Sequence, residues 1–241
     1  EGAPTAIDTM GQRIITQYAH KYIALGFIIT RQAQKDNLYK TRFPMIAQAL
    51  RNSMLQTKEI LGAAVLNNGF NPNYPIGDGQ ALFSAQHPID SGTVSNTPAI
   101  QADLNEASLE SAIVAVQQFR NQAGLIVMTK PEKLVVPAQG QFAANRLLNS
   151  SFRTNTADND ISAIYNMSAV PKGYVVNQFL TLSSSWYLLT DAPDGFKHYV
   201  RERIETDMYT DFTTDNIQTK AIERYSFGVS NFRAAYASQG A

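Results

Sequence analysis

The sequence predicts an α+β fold in two lobes, and three observations carry that reading. An apolar strand runs from Tyr22 to Thr30, and a long helix follows from about Pro44 to Asn68. The turn-rich stretch Gly77-Asp-Gly-Gln-Ala-Leu-Phe-Ser-Ala-Gln-His-Pro88 then separates this frame from a segment that alternates helix and strand, before a run of strands closes the chain.

The first strand places Ile23, Leu25, Phe27 and Ile29 on one face and Tyr22, Ala24, Gly26 and Ile28 on the other. Both sets are apolar or small, which predicts a strand covered on both sides. Gln32 to Lys40 is polar, with a short helical turn expected to start at Asp36-Asn37. From Phe43 onward Ile46, Leu50, Met54, Leu61 and Val65 recur at helical spacing. Pro44 suits the first turn, and Asn67-Asn68-Gly69 supplies a left-handed stop. Such a rod is about 36 Å long.

Asn71-Pro-Asn-Tyr-Pro and Gly77-Asp-Gly mark a crossing between lobes, and Ser91 to Pro98 reads as a second loop. A helix is expected from about Asn105 to Gln122, with Asp103 and Glu106 as its capping box, Leu109, Ile113, Val116 and Phe119 as its buried stripe, and Gly124 as its stop. Leu134 to Pro137 reads as a short buried strand, Gln139 to Leu148 as a helix, and Ser150 to Asp160 as a loop. Strands are expected at Tyr174–Phe179, Trp186–Thr190, Lys197–Glu205 and Met208–Thr213, with a turn at Asp191–Gly195. In the last strand Ala221, Tyr225, Phe227 and Val229 share the face opposite Lys220, Arg224 and Ser226.

Composition narrows the chemistry. A chain of 241 residues, 44% of them hydrophobic, buries a sizeable core without covalent staples. It has no cysteine, which removes disulfides, thiolate metal sites and cysteine nucleophiles, and fits a reducing cytosol. Twenty basic and twenty acidic side chains cancel, and no block of like charge appears, so the footprint of a strong nucleic-acid binder is missing. No apolar run approaches the roughly 18 residues of a membrane helix.

Ser84, His87 and Asp90 suggest a nucleophile, a base and an orienting acid. Pro88 disfavours a helix there, and an extended backbone sends Ser84 and His87 to opposite faces, so the trio reads as a structural turn. A hydrolase built on Ser84 and His87 remains the reading from another functional class. Asp207, Asp211 and Asp215, or Asp158 with Asp160, lack the spacing of a calcium loop, and His20 and His198 stand alone. Neither a metal nor a cofactor site is expected. Arg201-Glu-Arg-Ile-Glu205 alternates its charges, as a solvent face or a strand pairing across subunits does. Arg201, Glu202, Arg203 and Glu205, with Arg153, Asp158 and Asp160 of the polar loop, are the candidate interface residues.

At Gly77 to Pro88 the chain resembles the major head (capsid) subunits of tailed bacteriophages, the Mu-like head subunit family in particular. The order around that motif is similar too: a strand ending near Thr30-Arg31, a long helix, a helix near Leu109, Pro131-Glu-Lys-Leu-Val-Val-Pro137, and Tyr225-Ser-Phe-Gly-Val229 as the closing strand. The resemblance implies the HK97-like capsid fold. Residues 1–69 and 197–241 would form a peripheral domain with the spine helix and the end of an extended loop, and 70–196 an axial domain. The family's longer N-terminal part places Glu1 inside that loop or just after it. The resemblance further implies a non-enzymatic shell protein that assembles in the host bacterial cytoplasm into pentamers and hexamers of a virion. That shell would enclose double-stranded DNA without reading its sequence, with scaffold, portal and decoration proteins as partners and no membrane. A bacterial nanocompartment shell of encapsulin type is the alternative on the same fold.

Overall fold

A computed structural model describes residues 14–36, 39–153 and 160–241, with backbone only at 39–42. Strand β1 (Lys21–Ile29) leads into a short helix α1 (Arg31–Lys35) and a 29-residue helix α2 (Tyr39–Asn67). A small hairpin, β2 (His87–Ile89) and β3 (Gly92–Val94), precedes helix α3 (Glu106–Gln117). Strand β4 (Pro131–Val136), helices α4 (Gln141–Asn149) and α5 (Ala163–Asn166), and strands β5 (Tyr174–Val176) and β6 (Trp186–Thr190) follow. The chain ends with two long strands, β7 (Phe196–Thr210) and β8 (Ile217–Val229), and a four-residue strand β9 (Ala235–Ser238).

These strands form two principal sheets. The first is antiparallel, ordered β1-β8-β7, with Lys21 opposite Tyr225 and Ile29 opposite Ile217. Its α2 face is the period-2 set expected of β8: Ala221 is buried against Leu50 and Met54 of the helix, with Ile23 and Phe27 of β1 alongside. The second sheet is ordered β5-β4-β6-β9. Alternation along its strands feeds two cores. Leu134, Val136, Trp186, Leu188 and Tyr236 pack with Leu109, Val116 and Phe119 of the α3 segment. Val135, Tyr187, Ala235 and Ala237 turn the other way, to meet Leu66 at the end of α2 with Leu82 and Phe83. The second of these cores joins the two sheets.

Several elements differ from expectation. The face of β1 carrying Tyr22 and Ile28 is open, 59% and 62% exposed, because α2 covers only the other side. A helix the sequence did not suggest runs from Arg31, capped by Thr30 (Ala33 N–H to Thr30 Oγ1, 3.3 Å) and ended by Asp36; Asn37, where the expected Asp36-Asn37 turn would start, lies outside the described residues. Helix α2 starts before Pro44 and is about 44 Å long. Gly69 has no positive φ; it is small because a Cβ there would lie 2.5 Å from the Phe83 ring. The capping box of α3 is Asn105 with Ser108, not Asp103 with Glu106. Ser91–Val94 is half of a hairpin and not wholly loop. The two strands expected at 197–213 are one 15-residue strand, whose register shifts near Glu202 absorb the irregular pattern. Strand β9, unexpected from sequence, pairs with β6.

Candidate functional site

His87 is fully buried, 0% exposed. Its Nδ1 donates to the Asp78 carboxylate at 2.6 Å, its Nε2 lies 3.1 Å from Asn96 Oδ1, and its ring is stacked on Phe232. Asn96 is equally buried and ties three chain segments together. Its Oδ1 accepts from the Ser84 N–H at 3.0 Å, and its Nδ2 faces the carbonyls of Leu82 (2.7 Å), Phe232 (3.1 Å) and Ala235 (3.2 Å). Ser84 Oγ accepts from the Gln86 N–H, an ordinary turn contact, and Asp90 sits in the hairpin turn with its N–H on the Gln122 carbonyl. Both ring nitrogens of His87 are thus directed at Asp78 and Asn96, so the geometry gives Ser84 no base. The Gly77–Pro88 stretch is a structural knot that pins the crossing to the C-terminal segment.

The acidic candidates are dispersed. Asp207 lies 3.6 Å from Lys220, and Asp215 pairs with Arg31. Asp211 caps its own turn, and its hydrogen bonds from the Thr214 hydroxyl and the Thr213 N–H hold its carboxyl below the usual carboxylate range. Among the described residues no group of three or more histidine, aspartate or glutamate side chains is placed to hold a metal ion.

Of the interface candidates, Arg201, Arg203 and Glu205 stand exposed on β7, while Glu202 is half-buried and accepts from Arg224 at 3.0 Å within the same chain. Arg153 donates to Glu106 at 2.9 Å, which raises its pKa, and also faces Asp160 at 3.7 Å. Asp158 lies outside the described residues. The structure therefore leaves the two groups on separate elements. His198 stacks on Phe227, 4.3 Å between centroids.

Sequence reading missed the apolar surface. Besides Tyr22 and Ile28 of β1, Met45 and Ile60 of α2 and Val200, Ile204 and Met208 of β7 are exposed. Phe212, in the turn between β7 and β8, is 101% exposed. A cleft of about 790 Å³ opens between the sheet tip and the start of α2. An aromatic residue inside the polar turn Asp211-Phe-Thr-Thr-Asp215 was the available signal. No helix among the described residues is long and apolar enough to cross a membrane.

Comparison with known proteins gives one family model, phage capsid protein, matching residues 15–238. Among solved structures, the capsid of the native GTA particle superposes with a TM-score of 0.55 at 13% identity, covering 93% of this chain and 74% of that one. The capsid of Myoviridae phage XM1 gives 0.54 at 10% identity, covering 93% and 74%. The holo-SrpI encapsulin complex from Synechococcus elongatus PCC 7942 gives 0.52 at 11% identity, covering 92% and 74%. At these identities the likeness is one of fold. Comparison with curated proteins gives no match.

Proposed function

The chain belongs to the phage capsid protein family, has the HK97-like fold and is a capsid shell protein; from that premise we propose that it is the major head subunit of a tailed bacteriophage. Copies assemble into pentamers and hexamers of a closed icosahedral shell around double-stranded DNA. Residues 1–69 with the β7–β8 ribbon act as the peripheral domain, and 70–196 as the axial domain, to whose sheet β9 is added. Scaffold, portal and decoration proteins are its further partners, and assembly takes place in the host bacterial cytoplasm.

The observation that carries this reading is the first sheet. Strand β7 is solvent-exposed along nearly all of its 15 residues, and the outer face of β1 is apolar and open. Long two-sided exposure of an edge strand with apolar positions is an aggregation hazard in a monomer and a docking surface in an assembly. The interface candidates Arg201, Arg203 and Glu205 lie on that strand, where mixed charge sets register between neighbours. A net charge of zero suits a wall that contains nucleic acid without binding its phosphates in a salt-dependent way.

Purified full chain should be examined by sedimentation velocity and negative-stain electron microscopy across a concentration series. Shells or ring-shaped capsomers are expected, and a strictly monomeric species at the highest concentration would overturn the reading. Particles recovered from the bacterium with a packed enzyme cargo and no DNA would instead favour the nanocompartment.

A further inference from the structure

The turn between β7 and β8 is built to hold one side chain outward. Asp211 N–H bonds the Asn216 carbonyl at 2.9 Å, and Asp215 N–H bonds the Asp211 carbonyl at 2.8 Å. The Asp211 carboxylate accepts from the Thr213 N–H at 3.1 Å and the Thr214 hydroxyl at 2.7 Å. Arg31 clamps the far side, pairing its guanidinium with Asp215 and donating its N–H to Asn216 Oδ1 at 3.1 Å. Phe212 projects from this braced turn, the most exposed of the large apolar side chains among the described residues. Among the described residues nothing of its own chain covers it.

The cleft beside α2 has the complementary character. Phe27, Ile29, Pro44, Ala47, Met208 and Ile217 wall about 790 Å³ of space where the helix has not yet closed on the sheet, which it does at Leu50 and Met54. That volume is of the size that takes up bulky apolar groups. Gln34 and Lys35 stand at its edge, and Lys35 contributes a positive charge. An occupant must therefore be apolar at its centre and carry negative charge at its flank, where Lys35 stands. The Phe212 turn has both: a phenyl ring and the Asp211 carboxylate, beside an Asp215 carboxylate held by Arg31.

We propose that Phe212 of one copy seats in the α2 cleft of a second copy, with the acidic turn against Lys35. The inference rests on the shell reading above and adds which part of one subunit enters which part of the next. Knob and cleft adjoin at one tip of the sheet, where Met208 and Ile217 flank the turn, so the contact joins subunits tip to tip. A phenyl ring buried at the centre of such a contact is the kind of group that dominates association, while the surrounding polar pairs set direction.

Because the chain has no cysteine, thiols placed by substitution report the contact without background. Phe212→Cys and Ala47→Cys chains, mixed and oxidised with copper phenanthroline, are expected to give a disulfide-linked dimer of two 26.6 kDa chains. Neither variant mixed with wild type should do so. Phe212→Asp is expected to raise the concentration needed for particles about tenfold, a change of about 1.4 kcal/mol, with an unchanged circular dichroism spectrum. If wild type forms particles while the mixture stays uncrosslinked and Phe212→Asp assembles normally, the seat is wrong and the shell reading stands. If the mixture cross-links but no particle forms at any concentration, the seat holds as a pairwise contact and the shell reading fails. Protection of Ala47→Cys from a thiol reagent in isolated monomers would mean that the chain's own residues fill the cleft, and would overturn the proposal.

Discussion

The imidazole of His87 lies flat on the ring of Phe232, with centroids 3.9 Å apart and planes 3° from parallel. One residue belongs to the crossing after the spine helix and the other to the segment leading into the last strand, so the stack joins distant parts of the chain inside a buried polar network. His87→Ala should remove the stack and the ring's contacts to Asp78 and Asn96 in a buried setting, costing about 2–4 kcal/mol. Ser84→Ala should stay within about 1 kcal/mol, because its hydroxyl makes only a turn contact. Urea unfolding of unassembled subunits distinguishes the two, and equal effects would contradict the network.

Lys58 of α2 pairs with Glu223 of β8, a carboxylate almost wholly withdrawn from water, and its ammonium stands 5.1 Å from the Tyr225 ring centroid. Lys58→Met should strand the buried acid and cost about 3–5 kcal/mol. The double variant Lys58→Met with Glu223→Leu should recover most of that loss, since an apolar pair replaces an ion pair with little penalty. A double-mutant cycle read by chemical denaturation checks the coupling.

Along α2 the cost of a charge should follow its facing. Met54→Asp and Leu50→Asp enter the core shared with Ala221 and should each cost several kcal/mol or abolish folding. Leu61 is only half-buried, so Leu61→Asp should be milder than its helical position suggests. Ile60→Asp, on the exposed side, should leave the thermal midpoint of the subunit within a few degrees and yet reduce particle yield.

Burial pushes the phenols of Tyr187, Tyr225 and Tyr236 up, Tyr225 being raised further by Glu223. Below about pH 10 all three are neutral whether the chain is folded or not, and their contribution is complete. As pH rises beyond that, the unfolded chain releases protons the folded chain retains, so stability falls until the folded phenols ionise as well. Urea midpoints should therefore decline above about pH 10. Tyr225→Phe should flatten that decline without loss at neutral pH, because its buried hydroxyl has no partner.

Sequence reasoning reached these elements unevenly, for physical reasons. Strand β6 matched residue for residue, because Trp186 to Thr190 is bounded by turn residues and alternates between two cores. Pro44 suits a first helical turn, yet α2 starts earlier, at Tyr39, and carries the proline inside it. Strand β9 was missed because Ala235-Tyr-Ala-Ser238 has little intrinsic strand signal and is held by pairing with β6 and by the cores on either side. The coverage expected for β1 illustrates the deepest limit. Periodicity shows that a face is apolar, but not whether its cover comes from the same chain or another copy. Pro88 and the extended backbone already make the Ser84, His87 and Asp90 trio a turn, but the His87 network is invisible in the sequence because partners such as Asn96 and Phe232 are set by tertiary approach alone.

The sheet pairings also bear on synthesis. Strand β8 is the middle of the first sheet, so β1 and β7 have no partner until residues 217–229 exist, and β6 has its outer neighbour only when 235–238 follow. A ribosome emits the chain from its N-terminus, and here β8 and β9 follow every strand they pair with, β8 coming directly after β7. Products of stalled or prematurely terminated translation would thus lack the middle of one sheet and the edge of the other. They could not present the finished surfaces to intact subunits, so an unfinished polypeptide is kept out of the wall by topology alone.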